Sequence, residues 1–300
     1  MSSAVAAGRQ RARSGIAIAA ACFVFWGLYP FYFKALAPVG AYEVVANRIL
    51  WSALFLACLL PFGGAYRELL ATLRAPRRAA TLLLTGYLIL TNWTIYVVAV
   101  QGGQVLDASL GYFLGPLISV ALGVIVLRER LSRVQTVAAL LATLAVLNLI
   151  WQLGVIPKVA LVLGASFSVY GLLRKRLPVK PIVGLFVECV VTLPVAFAIL
   201  IHAAATGGLA STRQGPGTDL LLLAAGVVTV GPLILFNIGA KRVDYATIGL
   251  MQYIAPSMLF LESVLLFGEP LSFWRLVTFV LIWAALAMYT GDAVRRVRDT

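Results

Sequence analysis

The sequence has little charge, a single histidine and three cysteines, and these shortages exclude several classes of protein. Charged residues make up 12% of the 300 residues and hydrophobic residues 62%, with a mean hydropathy of +0.98. A soluble domain has about 25% charged residues, so this chain lacks the polar surface of a soluble enzyme. One histidine cannot form a histidine-based metal site, and the cysteines lie in apolar runs without metal-binding or redox spacing.

Motifs for nucleotide binding and for hydrolysis are also absent. No stretch fits the phosphate-binding pattern G-x-x-x-x-G-K-[ST], and neither H-E-x-x-H nor G-x-S-x-G occurs. We therefore expect no cofactor, no ATP-driven pumping and no enzymatic activity. A membrane enzyme and a channel or scaffold are the alternative function classes.

Ten apolar runs, bounded by charges, glycine or proline, predict an all-α polytopic membrane protein. One spanning helix needs about 20 apolar residues. A transmembrane barrel would show alternating hydrophobicity, whereas these runs are apolar on every side. We expect ten transmembrane helices at residues 15–34, 42–62, 79–100, 106–127, 134–151, 157–173, 181–203, 219–240, 245–267 and 271–290.

The positive charges divide unequally between the loops on the two sides of the expected membrane. Lys34, Lys158 and Arg213 lie on one side, and 19 of the 24 Lys and Arg residues lie on the other. Short cytoplasmic loops are enriched in Lys and Arg, so we place this larger set in the cytoplasm. It consists of Arg9, Arg11, Arg13, Arg67, Arg74, Arg77, Arg78, Arg128, Arg130, Arg133, Arg174, Lys175, Arg176, Lys180, Lys241, Arg242, Arg295, Arg296 and Arg298. The basic charge is thus a topology signal, and we expect no nucleic-acid partner.

The chain contains an internal repeat. The stretch DASLGYFLGPLISVALGVIVLRERLS aligns without a gap with TIGLMQYIAPSMLFLESVLLFGEPLS, at an offset of 140 residues that matches Pro116 to Pro256 and Glu129 to Glu269. The offset crosses five spans, an odd number, so the two halves should be inverted relative to each other. The arginines around Glu129 are missing around Glu269, as opposite membrane sides require. We expect two inverted five-helix repeats at about 15–151 and 157–290, forming one transmembrane domain between basic tails at 1–14 and 291–300.

Several stretches of the sequence are similar to one transporter family. FWGLYPFYFKAL, NRILWS, NWTIYVVAVQGGQVLDASLGYFLGPL, LRERLSRVQ and SFSVYGLLRK resemble the RarD-type permeases, from the EamA branch of the drug/metabolite transporter superfamily. The resemblance extends over nearly the whole chain. It implies ten helices in inverted five-helix repeats with cytoplasmic ends, and transport of small metabolites or drugs across the inner membrane, usually as export.

Two charged residues at membrane depth are the strongest site candidates, because such groups are costly there. Arg48 lies about six residues, or roughly 9 Å, into its span. It is either an anchor for an anionic substrate group or the partner of Glu43 or Asp107 in an ion pair. Glu188 has no basic residue within a turn on its own helix. It is either a site for a proton or a substrate amine, or a protonated acid that is hydrogen-bonded to a neighbouring helix.

Polar and aromatic residues in the spans complete the candidate substrate site. Asn92 and Asn237 occupy the third span of each half, where an amide either meets substrate or holds helices together. Matched prolines are typical of interrupted helices at transport sites, and Pro116 and Pro256 are therefore the predicted helix breaks. The other candidates, for which packing is the alternative role, are Trp26, Trp93, Tyr112, Gln252 and Tyr253. Glu129 and Glu269 precede helix starts, where they would complement the helix dipole.

The expected function is that of a secondary transporter, an exporter or permease for small metabolites or drug-like molecules that works by alternating access. Its expected partners are a small-molecule substrate and the lipid bilayer. We expect the protein in the cell inner membrane as a multi-pass protein, as a monomer or a weak homodimer. Proton coupling and facilitated diffusion are both open alternatives.

The charge asymmetry predicts that Met1 and Thr300 lie on the same, cytoplasmic side. Reporter fusions at both termini should therefore be active only in their cytoplasmic form. A C-terminus outside the cytoplasm would require an odd number of spans and would contradict the inverted repeat.

Overall fold

The computed structural model describes residues 2–101, 105–154, 158–209, 214–266 and 273–299, and within them the chain forms helices and no strand. This confirms the predicted all-α class. The helices are α1 (Ser2–Gly27), α2 (Tyr29–Ala35), α3 (Ala41–Leu59), α4 (Ala65–Arg74), α5 (Pro76–Gln101), α6 (Val105–Leu127), α7 (Arg133–Leu153), α8 (Lys158–Arg176), α9 (Pro181–Thr206), α10 (Pro216–Ala240), α11 (Tyr245–Met251), α12 (Ile254–Leu265) and α13 (Phe273–Asp299).

Among the described residues, six helical segments are long and apolar enough to cross a membrane. They are 10–35, 41–59, 133–152, 181–206, 216–240 and 273–292. The other four predicted spans correspond to α5, α6, α8 and the pair α11–α12. Of these four, α8 ends in three cations, and the chain leaves the helix between α11 and α12. The protein is thus a polytopic helical membrane protein, and the count of ten spans stays a prediction.

The start of α7 is capped by its own residues. Ser132 Oγ accepts a hydrogen bond from Gln135 N, and Gln135 Oε1 accepts one from Ser132 N, each at 3.0 Å. The capping box makes these two hydrogen bonds without Glu129. Instead, the Glu129 carboxylate accepts hydrogen bonds from the first two backbone N–H groups of α11, in the other half. The expectation that Glu129 serves its own following helix is therefore wrong, and Glu269 lies outside the described residues.

The two matched prolines differ in their effect on the helix. α6 continues through Pro116, so the predicted break at this position is wrong. Proline cannot donate to the carbonyl four residues before it, and side chains of the second half supply nearby donors instead: Tyr253 Oη to Phe113 O at 3.0 Å and Ser168 Oγ to Gly115 O at 2.9 Å. In the second half the chain does leave the helix between α11 and α12, and Pro256 lies in the first turn of α12.

Helices from the two halves of the chain interleave in the packing. α6 packs mainly on α8 and α11, α3 on α9 and α10, α5 on α8 and α9, and α1 on α10 and α12, while α7 and α13 pair with each other. The largest buried apolar cluster joins both halves around Phe23, Tyr170, Phe236 and Tyr245. The two halves therefore share one core.

The crossing of α3 and α10 depends on a glycine. A Cβ at Gly226 would lie 2.5 Å from the backbone carbonyl carbon and oxygen of Trp51. Backbone atoms cannot move aside as a side chain would, so this approach requires the missing side chain. Small residues at helix contacts are typical of membrane proteins, where close packing is a main source of association.

We expect Gly226→Ala to lower the thermal stability of the purified protein in detergent, because overpacking costs about 1–3 kcal/mol. Gly231→Ala in the same helix is the matched control, since its Cβ would meet nothing within 4 Å. A thermal shift assay on both variants measures the difference. Equal melting temperatures would contradict the close contact.

Candidate functional site

A buried ion pair between α8 and α9 is the centre of the polar interior. Arg174 Nε lies 3.3 Å from Glu188 Oε1, and the two side chains are 0% and 3% exposed. Thr85 Oγ1, on α5 of the first half, donates to the same carboxylate oxygen at 2.6 Å. Tyr170 Oη donates to Glu188 Oε2 at 3.3 Å. The carboxylate thus has one cation and two hydroxyl groups around it, which is how a buried charge is stabilised.

This pair corrects two expectations. Arg174 was expected in a cytoplasmic loop, but α8 extends to Arg176 and carries Arg174 in its last turn, facing the interior. Cations in this position are stabilised by the helix dipole. Glu188 was expected to be a site for a proton or a substrate amine, or a protonated acid hydrogen-bonded to a neighbouring helix. It is instead paired with a base on α8, 14 residues earlier in the sequence.

Asn237 contacts the same guanidinium nitrogen of Arg174 that faces Glu188. Its Oδ1 accepts from Arg174 Nε at 3.0 Å, and its Nδ2 donates to Leu233 O at 2.8 Å. Arg174 Nη1 is buried without a hydrogen-bond partner among the described residues. Of the two roles considered for Asn237, the contacts favour connection of helices.

The second polar centre surrounds Arg48 on α3. Its Nε donates to Thr229 Oγ1 on α10 at 2.9 Å. Its guanidinium carbon lies 4.4 Å from the centre of the Trp93 ring and 5.4 Å from that of Phe33. Aromatic faces attract a cation without neutralising it.

Glu43 and Asp107 were the expected ion-pair partners of Arg48, and of the two side chains the structure describes that of Glu43. The carboxylate of Glu43 is not among the groups that contact the guanidinium, and the side chain of Asp107 lies outside the described residues. No described carboxylate forms an ion pair with Arg48. The positive charge is therefore held by a hydroxyl group and two rings.

Four tyrosines complete this chamber, which we define as Arg48, Phe33, Trp93, Thr229 and the tyrosines. The hydroxyl groups of Tyr29, Tyr32, Tyr96 and Tyr112 lie within the electrostatic range of Arg48. The rings of Tyr96 and Tyr112 meet edge to face, with centroids 6.1 Å apart. The side chain of Tyr112 is 44% exposed.

A small cavity lies between the two polar centres. It is lined by Trp93 and Thr229 from the Arg48 chamber, by Glu188 and Tyr170 from the ion-pair network, and by apolar side chains. Its volume of about 20 Å³ is room for a water molecule and not for a metabolite. A substrate could therefore pass between the two centres only if the helices move.

The other predicted site residues have packing or connecting roles. Asn92 Nδ2 joins α5 to α8 through Leu163 O at 2.8 Å and Ser166 Oγ at 2.9 Å. Trp26 packs among aromatic rings, Tyr253 is buried, and Gln252 Nε2 donates to Ser119 Oγ at 3.1 Å. Of the candidates, the structure brings Arg48, Trp93 and Tyr112 together in the chamber. Sequence reasoning missed Thr85, Tyr170, Thr229 and Tyr96, which had no charge or motif to mark them as interior contacts, and it placed Arg174 in a loop.

A basic residue at the end of α10 lies close to the buried network. Lys241 follows α10, and its Nζ donates to Val179 O. Burial, and then the charge of Arg174, lower the pKa of Lys241 to about 8. The lysine is thus close enough to the ion pair to respond to its charge.

Comparison with known proteins gives a consistent set of relatives. The sequence matches the profile of the EamA-like transporter family over residues 13–151 and again over 157–291. It is 44% identical to an uncharacterized transporter of Pseudomonas aeruginosa, over 95% of this chain and 96% of that protein. It is 38% identical to the protein RarD of Escherichia coli, over 97% and 98% of the two chains. A chain from a solved crystal structure has the same fold, with a TM-score of 0.71 at 19% identity over 94% and 98% of the chains.

We expect Arg174→Gln and Glu188→Gln each to destabilise the protein by about 3–5 kcal/mol, because each leaves an uncompensated buried charge. The double variant should lose less than the sum, since neither charge is then left alone. Arg176→Gln, on the same helical turn but exposed, is the control and should change stability little. Additive losses in a double-mutant cycle of unfolding would contradict a direct pair.

Proposed function

Because this chain belongs to the EamA-like transporter family and is a RarD-type permease, we propose that it is a secondary transporter that moves small molecules by alternating access. The membrane is the inner membrane of a bacterium, where such multi-pass proteins reside. The proposed movement is between two inverted five-helix halves, at about 15–151 and 157–290. The physiological direction is export, and the cargo is a small metabolite or a drug-like compound.

Two observations support the inverted repeat. The family profile matches the chain twice, in stretches of similar length on either side of residues 152–156. The helix contacts also come in matched pairs. The contact of α6 with α8 corresponds to the contact of α12 with α1. In the same way, the contact of α5 with α8 corresponds to that of α10 with α1, and the contact of α5 with α9 to that of α10 with α3. This is the pattern that a two-fold axis between ten helices produces, if α1–α2 and α11–α12 each count as one span.

The proposed substrate site is the Arg48 chamber, and the observation that carries this proposal is the way in which the cation is held. A guanidinium that is held by a hydroxyl group and two aromatic rings can bind an anion, and its parallel N–H donors suit a carboxylate or similar group. The rings of Trp93 and Phe33 offer apolar surface beside it. We therefore propose an organic anion with an apolar part as the cargo.

The closed path beyond the chamber supports alternating access. The small cavity between the two polar centres is too small for a metabolite, so a substrate in the chamber reaches the other side only after rearrangement. Channels need a continuous path, which makes a carrier the better explanation. The partners of Glu188 give no specific support for proton coupling, so facilitated diffusion is the simpler form of the proposal.

The proposed topology places both termini in the cytoplasm. The C-terminal end of α10 meets the middle of α1 at one end of the bundle, where Arg242 Nη1 donates to Ser14 Oγ at 3.0 Å. That end carries most of the loop cations, as the positive-inside rule expects of a cytoplasmic face.

We expect Arg48→Ala to reduce saturable uptake of organic anions into proteoliposomes at least tenfold, since charge-assisted hydrogen bonds contribute about 1.5–3 kcal/mol. Arg48→Lys should retain part of the flux, because the lysine ammonium keeps the positive charge but lacks the parallel N–H donors of a guanidinium. Arg275→Ala, which removes an exposed cation on α13, is the control. A panel of labelled organic anions, neutral compounds and cations measures the selectivity.

The folded state of each variant is checked by size-exclusion chromatography and thermal unfolding. A wild-type protein that transports none of these classes, or that prefers cations, would contradict the proposal. So would an Arg48→Ala variant that is folded and transports anions at the wild-type rate.

A further inference from the structure

Glu129 makes an unusual contact between the two halves at the end of the bundle opposite the Arg48 chamber. It follows α6 of the first half, yet its Oε1 accepts from Tyr245 N at 2.7 Å and its Oε2 from Ala246 N at 2.9 Å. Both N–H groups belong to the first turn of α11, in the second half. The helix itself has no acceptors for these N–H groups. One carboxylate of the first half therefore caps the start of a helix in the second half.

The loop that carries Glu129 is shaped for this contact. Arg128 has φ +56°, and among the described residues it is the one non-glycine residue with positive φ. L-residues rarely adopt this conformation, which persists where its surroundings fix it. The turn brings Glu129 N back to Gly123 O at 3.0 Å.

Gly123 leaves the space into which the carboxylate folds. A Cβ at this position would lie 2.5 Å from Glu129 Oε2 and 2.9 Å from Ala246 N. A larger residue on α6 would therefore separate Glu129 from α11. The close approach depends on glycine in one half and on backbone N–H groups in the other.

A lysine from α8 connects this contact to the neighbouring helix ends. Lys175 Nζ lies 4.0 Å from Glu129 Oε1 and donates to Ala240 O at 2.7 Å and to Val243 O. It thus joins the end of α8, the end of α10 and the loop before α11 to the same carboxylate. Removal of the negative charge would weaken the whole junction.

The residues next to this junction, toward the middle of the bundle, are fully buried. Tyr245 is 0% exposed, and its hydroxyl donates to Ser168 O at 2.6 Å. Ser168 and Ser119 are also 0% exposed, and their hydroxyl oxygens are 3.0 Å apart. If α11 moved away from α6, these groups would be the first to meet water from that end.

We propose that Glu129 is a gating residue that holds the cytoplasmic side closed while the Arg48 chamber is accessible from the other side. The step that opens the cytoplasmic side then requires Glu129 to leave the start of α11. This inference rests on the proposed alternating access, and it adds the contact that controls one of its two states. Loss of the contact should shift the population toward the form that is open to the cytoplasm.

Accessibility of a buried cysteine tests the gate without knowledge of the substrate. Ser119→Cys is introduced in a background that lacks Cys22, Cys58 and Cys189, and a membrane-impermeant thiol reagent is applied to oriented vesicles from either face. With Glu129→Gln added, we expect labelling from the cytoplasmic face to rise at least tenfold, because an amide offers one acceptor where the carboxylate offers two. Labelling from the other face should not rise.

Glu68→Gln is the matched control. Glu68 also accepts a backbone N–H from the other half, Lys180 N at 2.5 Å, and also pairs with a lysine, Lys180 Nζ at 3.4 Å. This pair is partly exposed, where ion pairs contribute little, so labelling at Ser119→Cys should stay unchanged. Gly123→Ala is a second way to displace Glu129 and should raise cytoplasmic labelling as Glu129→Gln does, which keeps the test valid if one variant folds poorly.

Three outcomes would overturn the gate: unchanged labelling in Glu129→Gln, an equal rise from both faces, or an equal rise in Glu68→Gln. Equal rises indicate general loosening, which thermal unfolding would also detect. The failure of the proposed function is a separate result, namely the absence of substrate exchange by the wild-type protein. A wild-type protein that exchanges substrate while Glu129→Gln leaves labelling unchanged would overturn the gate alone.

Discussion

The ion pair between Arg174 and Glu188 is the constraint on which the polar interior depends. A charge in a low-dielectric interior must be paired and hydrogen-bonded, and here the pairing draws on four helices. α8 and α9 supply the charges, α10 supplies Asn237, and α5 of the first half supplies Thr85. Because Thr85 lies across the interface, the relative position of the halves affects how well the carboxylate is satisfied. A rearrangement between the halves therefore changes the surroundings of a buried charge.

The sequence was sufficient to predict the helices but insufficient to predict their partners. Apolar runs bounded by proline or charge place the start of α9 at Pro181 and that of α3 within one residue of Ala41, because hydrophobic length and proline act locally. Arg174 could not be recognised as a buried residue, since its neighbours Lys175 and Arg176 make it look like part of a loop. The contact of Arg48 with Thr229 joins residues 181 positions apart, and no local pattern records it. Glu129 was placed correctly before a helix, but the helix that it caps is in the other half.

Equivalent positions in the two halves carry opposite charges. Arg48 and Glu188 are each the eighth residue of their helix, since α3 begins at Ala41 and α9 at Pro181, and each lies roughly 10 Å along it at 1.5 Å per residue. One charge is held by rings and a hydroxyl group, and the other is paired with a base. In the proposed inverted repeat these two positions correspond, and they differ in how the charge is stabilised.

The aromatic surroundings of Arg48 also have an electrical consequence. The guanidinium is fixed to the protein, so its charge makes no net movement in a complete transport cycle. A monovalent anion that is carried out of the cell by the proposed mechanism would take one negative charge with it at each turnover. A membrane that is negative inside favours this movement by about 2.3 kcal/mol per 100 mV. The resting voltage of the cell would then suffice to drive efflux, and no second ion would be needed to give the cycle a direction.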